Sequence, residues 1–367
     1  MGKLVLAGTG HAHLPVIAAI GKILADGHSV VGINSGEMHY YSGMGPGMLG
    51  GVYRPEEIRF PVRRMIERRG ATFVKGRVTF INAPERTVVL ESGQRISYDV
   101  LSCNLGSEVS WSTQAASGKD VFPVKPIENL YAARERILSM AGKGRVRVGV
   151  CGGGPAAVEI AGNAHAAGKK GKGGGCRVQV FSAGPVLGGM PGRARRMAQS
   201  HLVKEGIEIF SGHPVLSVES GAVRLENEAV YPQGIVFLAT GIRPPKIFTE
   251  SKLETSPDGG LLVNRFLQSP AFPEIFGGGD CISFAPRPLA RVGVHAVRQG
   301  PVLMNNLLAR LNNGRLCPFE PQADYLVILN LGGGYGIFSR GAIRFGGRSA
   351  FWIKDFIDKT FMRKYRE

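Results

Sequence analysis

Cysteine is scarce in this chain of 367 residues, and none of it is paired locally. Cys103, Cys151, Cys176, Cys281 and Cys317 stand singly, with no CxxC spacing and an odd total, which argues against a disulfide framework or a zinc site built from neighbouring pairs. Each reads as a small buried hydrophobe. Long apolar runs are missing too: no stretch approaches the ~18 to 20 residues that cross a bilayer. An apolar strand that begins at Lys3 leaves no room for a signal peptide, so the expected address is the cytoplasm. Acidic residues are also in short supply, 28 against 45 lysines and arginines, for a net charge of +17. That excess suits anionic phosphates or an anionic membrane face. Nucleic acid is not the expected partner. The basic clusters at Arg59, Arg63, Arg64, Arg68 and Arg69, at Lys169, Lys170 and Lys172, and at Arg193, Arg195 and Arg196 lack interleaved aromatics and match no nucleic-acid fold signature.

Glycine, by contrast, is abundant, with 53 residues, and two of its clusters sit where they carry meaning. Gly8-Thr9-Gly10-His11-Ala12-His13 follows the apolar run 3–7 and opens an apolar helix pattern. Gly152-Gly153-Gly154-Pro155-Ala156-Ala157 follows 146–151 and opens another. Each is followed by a second strand, 28–33 and 177–181, as a βαβ unit requires. Glycine lets such a loop turn tightly and approach a pyrophosphate, whose charge then rests on the N-terminus of the next helix. One such loop points to a nucleotide; two point to a flavin fed by a second nucleotide.

The coarse plan repeats. After its βαβ unit the first region turns to short strands at 72–81, 87–90 and 98–103. From about 121 to 256 the plan returns, with a helix near 193–205 and a strand at 236–239. Residues 261–314 read as a return to the first unit. The expected fold is therefore α/β with two Rossmann-like dinucleotide-binding domains, the second inserted in the first: 1–115 with 261–315, then 121–256, then a small strand-helix region at 316–367. Gly168 to Gly175, rich in glycine and lysine, reads as an exposed flexible loop. Residues 351–366 read as an amphipathic helix, with Phe351, Trp352, Ile353, Phe356, Ile357, Phe361 and Met362 on one side. Lys354, Asp355, Asp358, Lys359, Arg363 and Lys364 take the other.

Further strand ends complete the pattern. Ile275-Phe276-Gly277-Gly278-Gly279-Asp280 is an apolar strand closing on glycines and an acid, followed by a helix from about 290 to 311. An Asp there can accept a bond from a sugar-like hydroxyl. Val236-Phe237-Leu238-Ala239-Thr240-Gly241 closes on Ala-Thr-Gly, and Tyr98 to Ser107, with Gly106, is its weaker counterpart. The ensemble resembles the pyridine nucleotide-disulfide oxidoreductase superfamily of two-dinucleotide-binding-domain flavoproteins. Within it the likeness is to type II NADH dehydrogenase-like proteins, especially the dehydrogenase-like module fused to selenide, water dikinases. The narrower match rests on Gly-x-Gly-His-x-His, on Tyr41-Ser42-Gly43-Met44-Gly45-Pro46-Gly47, on Ala296-Val297-Arg298-Gln299-Gly300-Pro301, and on the tail from Lys354 to Arg363.

That resemblance implies FAD held by Gly8, Thr9, Gly10, His11, Asn34 or Ser35, Gly106, Asp280 and Gln299. It implies NAD(P)H at Gly152, Gly154 and Glu159, with Thr240 and Gly241 nearby, and a quinone-like acceptor. Glu159, seven residues after Gly152, matches a glutamate that lies by flavin and nicotinamide in the family. Protons for quinone reduction have Glu159, His295 and Lys125 as candidate carriers. Departures are informative. Residues 40–47 hold no CxxxxC pair, so disulfide-reductase chemistry is not expected. His13 replaces the third small residue of the first loop and either helps to bind a pyrophosphate or packs as a helix-start histidine. Neither Asn34-Ser35 nor Ser182-Ala183 supplies a ribose-binding acid, which leaves NADH, NADPH or no nicotinamide open, with Arg193, Arg195 or Arg196 as partners for a 2′-phosphate. The quinone-site text of the family is only partly kept in 293–299. A sulfide:quinone reductase-like enzyme is the alternative, and it needs two cysteines facing the flavin, such as Cys151 with Cys281 or Cys317. A non-catalytic flavin-binding partner in selenium metabolism is the other. The terminal helix is expected to dock on an anionic membrane surface, peripherally on its inner face, through Phe351, Trp352, Ile353, Phe356, Ile357 and Phe361 with Lys354, Lys359, Arg363, Lys364 and Arg366. A homo-oligomer is left open.

Overall fold

The computed structural model describes residues 1–111, 116–171, 173–219 and 221–366. Two five-stranded parallel sheets dominate it. In the first, Lys3–Ala7 is central, with Val100–Cys103 and Ile275–Gly277 on one side and Ser29–Asn34 and Thr72–Lys75 on the other. In the second, Val146–Cys151 is central, with Ile235–Leu238 and Val121–Pro123 on one side and Cys176–Ser182 and Glu208–Ser211 on the other. Because both faces of each sheet are covered, the central strands are buried almost throughout rather than alternating. Each glycine loop leaves the carboxyl end of a central strand, where connections diverge to opposite sides of the sheet. That is the switch point at which open α/β sheets bind ligands. The strand Ile275–Gly277 joins the first sheet after the whole second sheet has been built, so the second unit is an insertion in the first.

Each half also carries a small antiparallel sheet: Val78–Asn82, Thr87–Leu90 and Arg95–Ser97 in one, Val215–Glu219, Ala222–Leu225 and Val230–Pro232 in the other. A third, Val327–Asn330, Gly336–Arg340 and Ile343–Gly347, leads directly into the terminal helix Arg348–Tyr365.

Two expectations need correction. The glycine-lysine run at 168–175 is no free loop. The helix Pro155–Lys170 continues into it, Gly168 is buried, and a side chain at Gly173 would overlap the backbone of Ala141. Glycine is there for close packing against 141–145; Lys172, part of the same expectation, lies outside the described residues. The terminal helix, meanwhile, does not divide its two sides as expected, since Phe361 and Met362 lie with Lys354 and Asp358 rather than with Trp352 and Phe356. Lys354 and Asp358 face inward, their side chains only 12% and 5% exposed, while Trp352, Ile353, Phe356 and Ile357 are exposed. Phe361, Met362 and Tyr365 share the inner face. The reason is that the body offers this helix polar partners as well as apolar ones, so its inner stripe is mixed. The outer stripe is apolar in its first half and basic, with Lys359, Arg363 and Lys364, in its second.

Candidate functional site

A cleft of about 1180 Å³ lies at the carboxyl end of the first sheet and is closed on its far side by residues of the second half, among them Leu238, Pro245 and Lys246. It exceeds the ~300–1,000 Å³ of ordinary small-ligand pockets and is on the scale of a dinucleotide. Gly8, Thr9, Gly10 and His11 form one wall, joined by Asn34, Ser35, Gly106, Lys125 and Asp280. Gly8 has a φ of +82°, and a side chain at Gly8 or Gly10 would overlap Asn104. Only glycine lets the loop lie flat there. Asn104 then fixes it: Oδ1 accepts the Ala12 N–H at 3.1 Å and Nδ2 donates to the Gly278 carbonyl at 2.6 Å.

Asp280 is tightly placed. Its Oδ2 accepts Lys125 Nζ at 2.7 Å and the Ser107 hydroxyl at 2.9 Å, and Arg291 Nε donates to its carbonyl at 2.9 Å. Asn34 donates one of its two amide N–H groups to the Gly36 carbonyl at 2.8 Å, which leaves its carbonyl oxygen and second N–H for a ligand. Gln299 is buried and accepts the Gly279 N–H at 2.7 Å; it braces the loop and does not line the cleft. A flavin cofactor fits these residues on one further observation. Thr9 Oγ1 and His11 Nε2 are enclosed at the loop without a partner among the described residues, and enclosed polar atoms of this kind call for one.

The second loop differs. Gly152, with a φ of +140°, lies against Ala239 and Thr240. The Thr240 hydroxyl donates to the Ser110 carbonyl at 2.9 Å, and Ser110 N–H donates to Gly241 at 2.9 Å, tying the connector between the halves to this strand end. Gly154 opens the helix Pro155–Lys170, with nothing near the place a side chain would take. At the neighbouring strand end, Ser182 bonds within its own turn, to Gly184 at 2.7 Å.

Glu159 stands on that helix, facing the C-terminal region. Its Oε1 accepts the Asn330 N–H at 2.8 Å. Burial pushes its pKa up to about 7 against the pull of Lys354 and the Asn330 N–H, and Asp358 adds to the rise. Lys354 in turn donates to the Gly43 carbonyl and to Asp358 Oδ2, both at 2.8 Å. Burial opposes its charge, but Asp358 and Glu159 outweigh burial and hold its pKa above the ordinary lysine value. Tyr41 donates to Asp358 at 3.1 Å and Tyr53 to Asp355 at 2.8 Å. The segment 40–47, which lacks the cysteine pair, is thus the seat of the terminal helix.

Other expected residues go elsewhere. His295 is buried and faces Tyr325, with ring centroids 5.3 Å apart, and is not on the cleft wall although Gly293 and Ala296 are. Lys125 is on the wall, committed to Asp280. His13 is the packed alternative, enclosed and bonded at both nitrogens. The proposed cysteine pairings fail. All five thiols are free, Cys151 and Cys281 pack in different cores, and Cys317 is exposed. Burial pushes Cys151 and Cys281 up to about 12, so neither offers a thiolate for sulfur uptake. The sequence missed Lys354, Asp358 and Asn104 as site residues. An i, i+4 Lys–Asp pair was visible in the tail, but periodicity alone only sets it opposite Trp352 and Phe356.

A family model described as pyridine nucleotide-disulphide oxidoreductase matches residues 2–300. The chain is 26% identical over 383 residues to the type II NADH:quinone oxidoreductase of Staphylococcus saprophyticus, covering 97% of this chain and 94% of that protein. It is 22% identical over 326 residues to the NADH dehydrogenase-like protein YutJ of Bacillus subtilis, covering 88% and 87%. Its fold is similar to those of the sulfide:quinone oxidoreductase from Aquifex aeolicus, with a TM-score of 0.81 at 19% identity over 100% of this chain and 92% of that one, and of NDH2 from Plasmodium falciparum in complex with NADH, with a TM-score of 0.79 at 13% identity over 100% of both.

Proposed function

The chain belongs to the pyridine nucleotide-disulphide oxidoreductase family, and from that footing we propose that it is an FAD-dependent NAD(P)H dehydrogenase that delivers electrons to a quinone-like acceptor. The observation that carries this reading is Glu159. It is a half-buried carboxyl with a pKa of about 7, held between the helix of the second loop and a terminal helix whose outer face is apolar in its first half. When bound, the flavin supplies the two-electron chemistry that joins a nicotinamide donor to a quinone acceptor. The protein's part is to place and protonate. Asp280 offers a carboxylate to the ribityl hydroxyls, and the glycine loop with the helix behind it receives the pyrophosphate. The second loop receives NAD(P)H. Glu159, half protonated near neutral pH, passes a proton toward the acceptor, and the Lys354 ammonium beside it favours the ionised carboxylate left behind.

The same reading divides the chain into an FAD domain at 1–115 and 261–315, an NAD(P) domain at 121–256 and a C-terminal region at 316–367. It also gives the terminal helix a membrane surface as partner: Trp352, Ile353, Phe356 and Ile357 are exposed, and no helix among the described residues is long and apolar enough to cross a membrane. Anaerobic titration of the purified protein with NADH, NADPH and sulfide, followed by flavin absorbance, tests the chemistry. Bleaching by a nicotinamide nucleotide is expected. Bleaching by sulfide alone would overturn the donor assignment.

A further inference from the structure

Asn163 stands one helical turn beyond Glu159 on the helix Pro155–Lys170 and is wholly buried. Its Nδ2 donates to the Glu159 carbonyl and to the Asn330 carbonyl, each at 2.9 Å. The orientation of this amide is forced, because its oxygen in the same place would face two carbonyl oxygens. Asn330 ends Val327–Asn330, an edge strand of its sheet. Edge strands leave main-chain groups unpaired, and here the helix takes them. The Asn330 carbonyl accepts from Asn163, and the Asn330 N–H donates to Glu159 Oε1 at 2.8 Å. Two side chains a turn apart thus grip both main-chain groups of one residue.

Small residues make room for this grip. A side chain at Gly162 would overlap the Leu331 carbonyl, one at Gly332, whose φ is +78°, would overlap Gly162, and one at Gly50 would overlap Asn163 Oδ1. Asn330 Oδ1 accepts the Gly332 N–H at 3.0 Å and closes the turn. With Oε1 of Glu159 engaged as an acceptor, the carboxyl proton belongs on Oε2. The charges that act on this carboxyl, Lys354 and Asp358, both come from the terminal helix. Other elements packed on the helix direct theirs elsewhere. Residues 45–49 and 327–330 hold no titratable side chain. Glu128 lines the cleft, Tyr131 and Arg147 are exposed, Arg134 pairs with Glu135, Arg136 with Asp120 and Arg177 with Glu208. Burial keeps the Cys151 and Cys176 thiols neutral. On the helix itself His165 and Lys169 face Glu205, and Lys170 donates to the Gly51 carbonyl.

We infer that Asn163 is a positioning residue for the proton chemistry of Glu159: through the main chain of Asn330 it holds an N–H against Oε1 and confines the transferable proton to Oε2. The inference rests on the reading of Glu159 as the carrier of a proton to the acceptor. Asn163 does not line the cleft and acts only through Asn330.

Leucine has the branching of asparagine without its donor, so Asn163→Leu is the test variant. In the full-length holoprotein the Glu159 carboxyl is titrated by infrared difference spectroscopy, with Glu159→Gln identifying its band. A hydrogen bond to the charged form lowers a carboxyl pKa. The midpoint in Asn163→Leu is therefore expected to rise by about one pH unit, while flavin reduction by NADH stays within about twofold of the wild-type rate. An unchanged midpoint would overturn the inference. Adding Asn163→Leu to Glu159→Gln should cost no further turnover, because positioning then has nothing to act on; a further fall would reduce Asn163 to a packing role. If Asn163→Leu fails to fold, the wild type decides by nuclear magnetic resonance. The Asn330 amide and the Asn163 side-chain amide should both shift with the Glu159 midpoint, and either one indifferent to pH across it overturns the inference. A wild type that titrates as described yet reduces no quinone would instead remove the functional reading and leave the positioning intact.

Discussion

Glu159 is the residue at which burial and function meet. Its pKa of about 7 lies above the 4.5 of a free glutamate, so the folded protein binds more protons than the unfolded chain between those values. Stability contributed by the neutral carboxyl is therefore present below pH 4.5 and is lost as pH rises through about 7. Glu159→Gln should abolish that loss, on the order of 3 kcal/mol at most, and urea unfolding at pH 5 and pH 8 measures it. The same substitution should lower quinone-reductase turnover by about a hundredfold or more, since a fixed amide carries no proton, and should erase any inflection near pH 7 from the rate profile. Asp280 makes a different demand. Asp280→Ala should weaken flavin retention by roughly 1.5 to 3 kcal/mol, the usual size of a charge-assisted bond, read as flavin released on gel filtration. It also leaves Lys125 without its counter-ion.

At the scale of elements, the loops and strands were legible in the sequence because their signals are local. Gly8 and Gly10 must be small against Asn104, and the alternation of apolar strand, glycine and apolar helix reports a βαβ unit from composition alone. The terminal helix was legible as a helix and as two-sided, yet the membership of its inner side was not. Periodicity says that Trp352 and Phe356 oppose Lys354 and Asp358; it cannot say which side finds partners, because Gly43, Tyr41 and Glu159 are more than a hundred residues away in sequence. Asp358→Asn should leave the inward Lys354 ammonium with only Glu159 and Asp355 as counter-charges and destabilise helix docking by less than the ~3 to 5 kcal/mol of an uncompensated buried charge, seen as faster proteolytic release of the helix. Replacing Trp352 and Phe356 together by serine should leave docking intact, because both face outward, and should lower co-sedimentation with anionic vesicles several-fold. Undiminished sedimentation of that variant would remove the helix as the membrane contact.

For the whole molecule, a net charge of +17 gives vesicle binding a long-range component beyond the helix itself. Binding should fall steeply as sodium chloride is raised to about 1 M, where the screening length is about 3 Å, whereas a purely apolar insertion would be indifferent to salt. The discontinuous first sheet has a further consequence, which concerns time. Val100–Cys103, buried at all four positions, has Ile275–Gly277 as its outer neighbour; from residue 103 to residue 275 is a gap of 172 residues. At the ~5–20 residues per second of synthesis, an apolar strand edge waits roughly 9 to 34 s for its partner. All five strands of the second sheet, between residues 121 and 238, emerge and can close within that interval. The unit that starts first on the ribosome finishes last, and slow translation or loss of a chaperone should therefore expose the first sheet to aggregation while sparing the second.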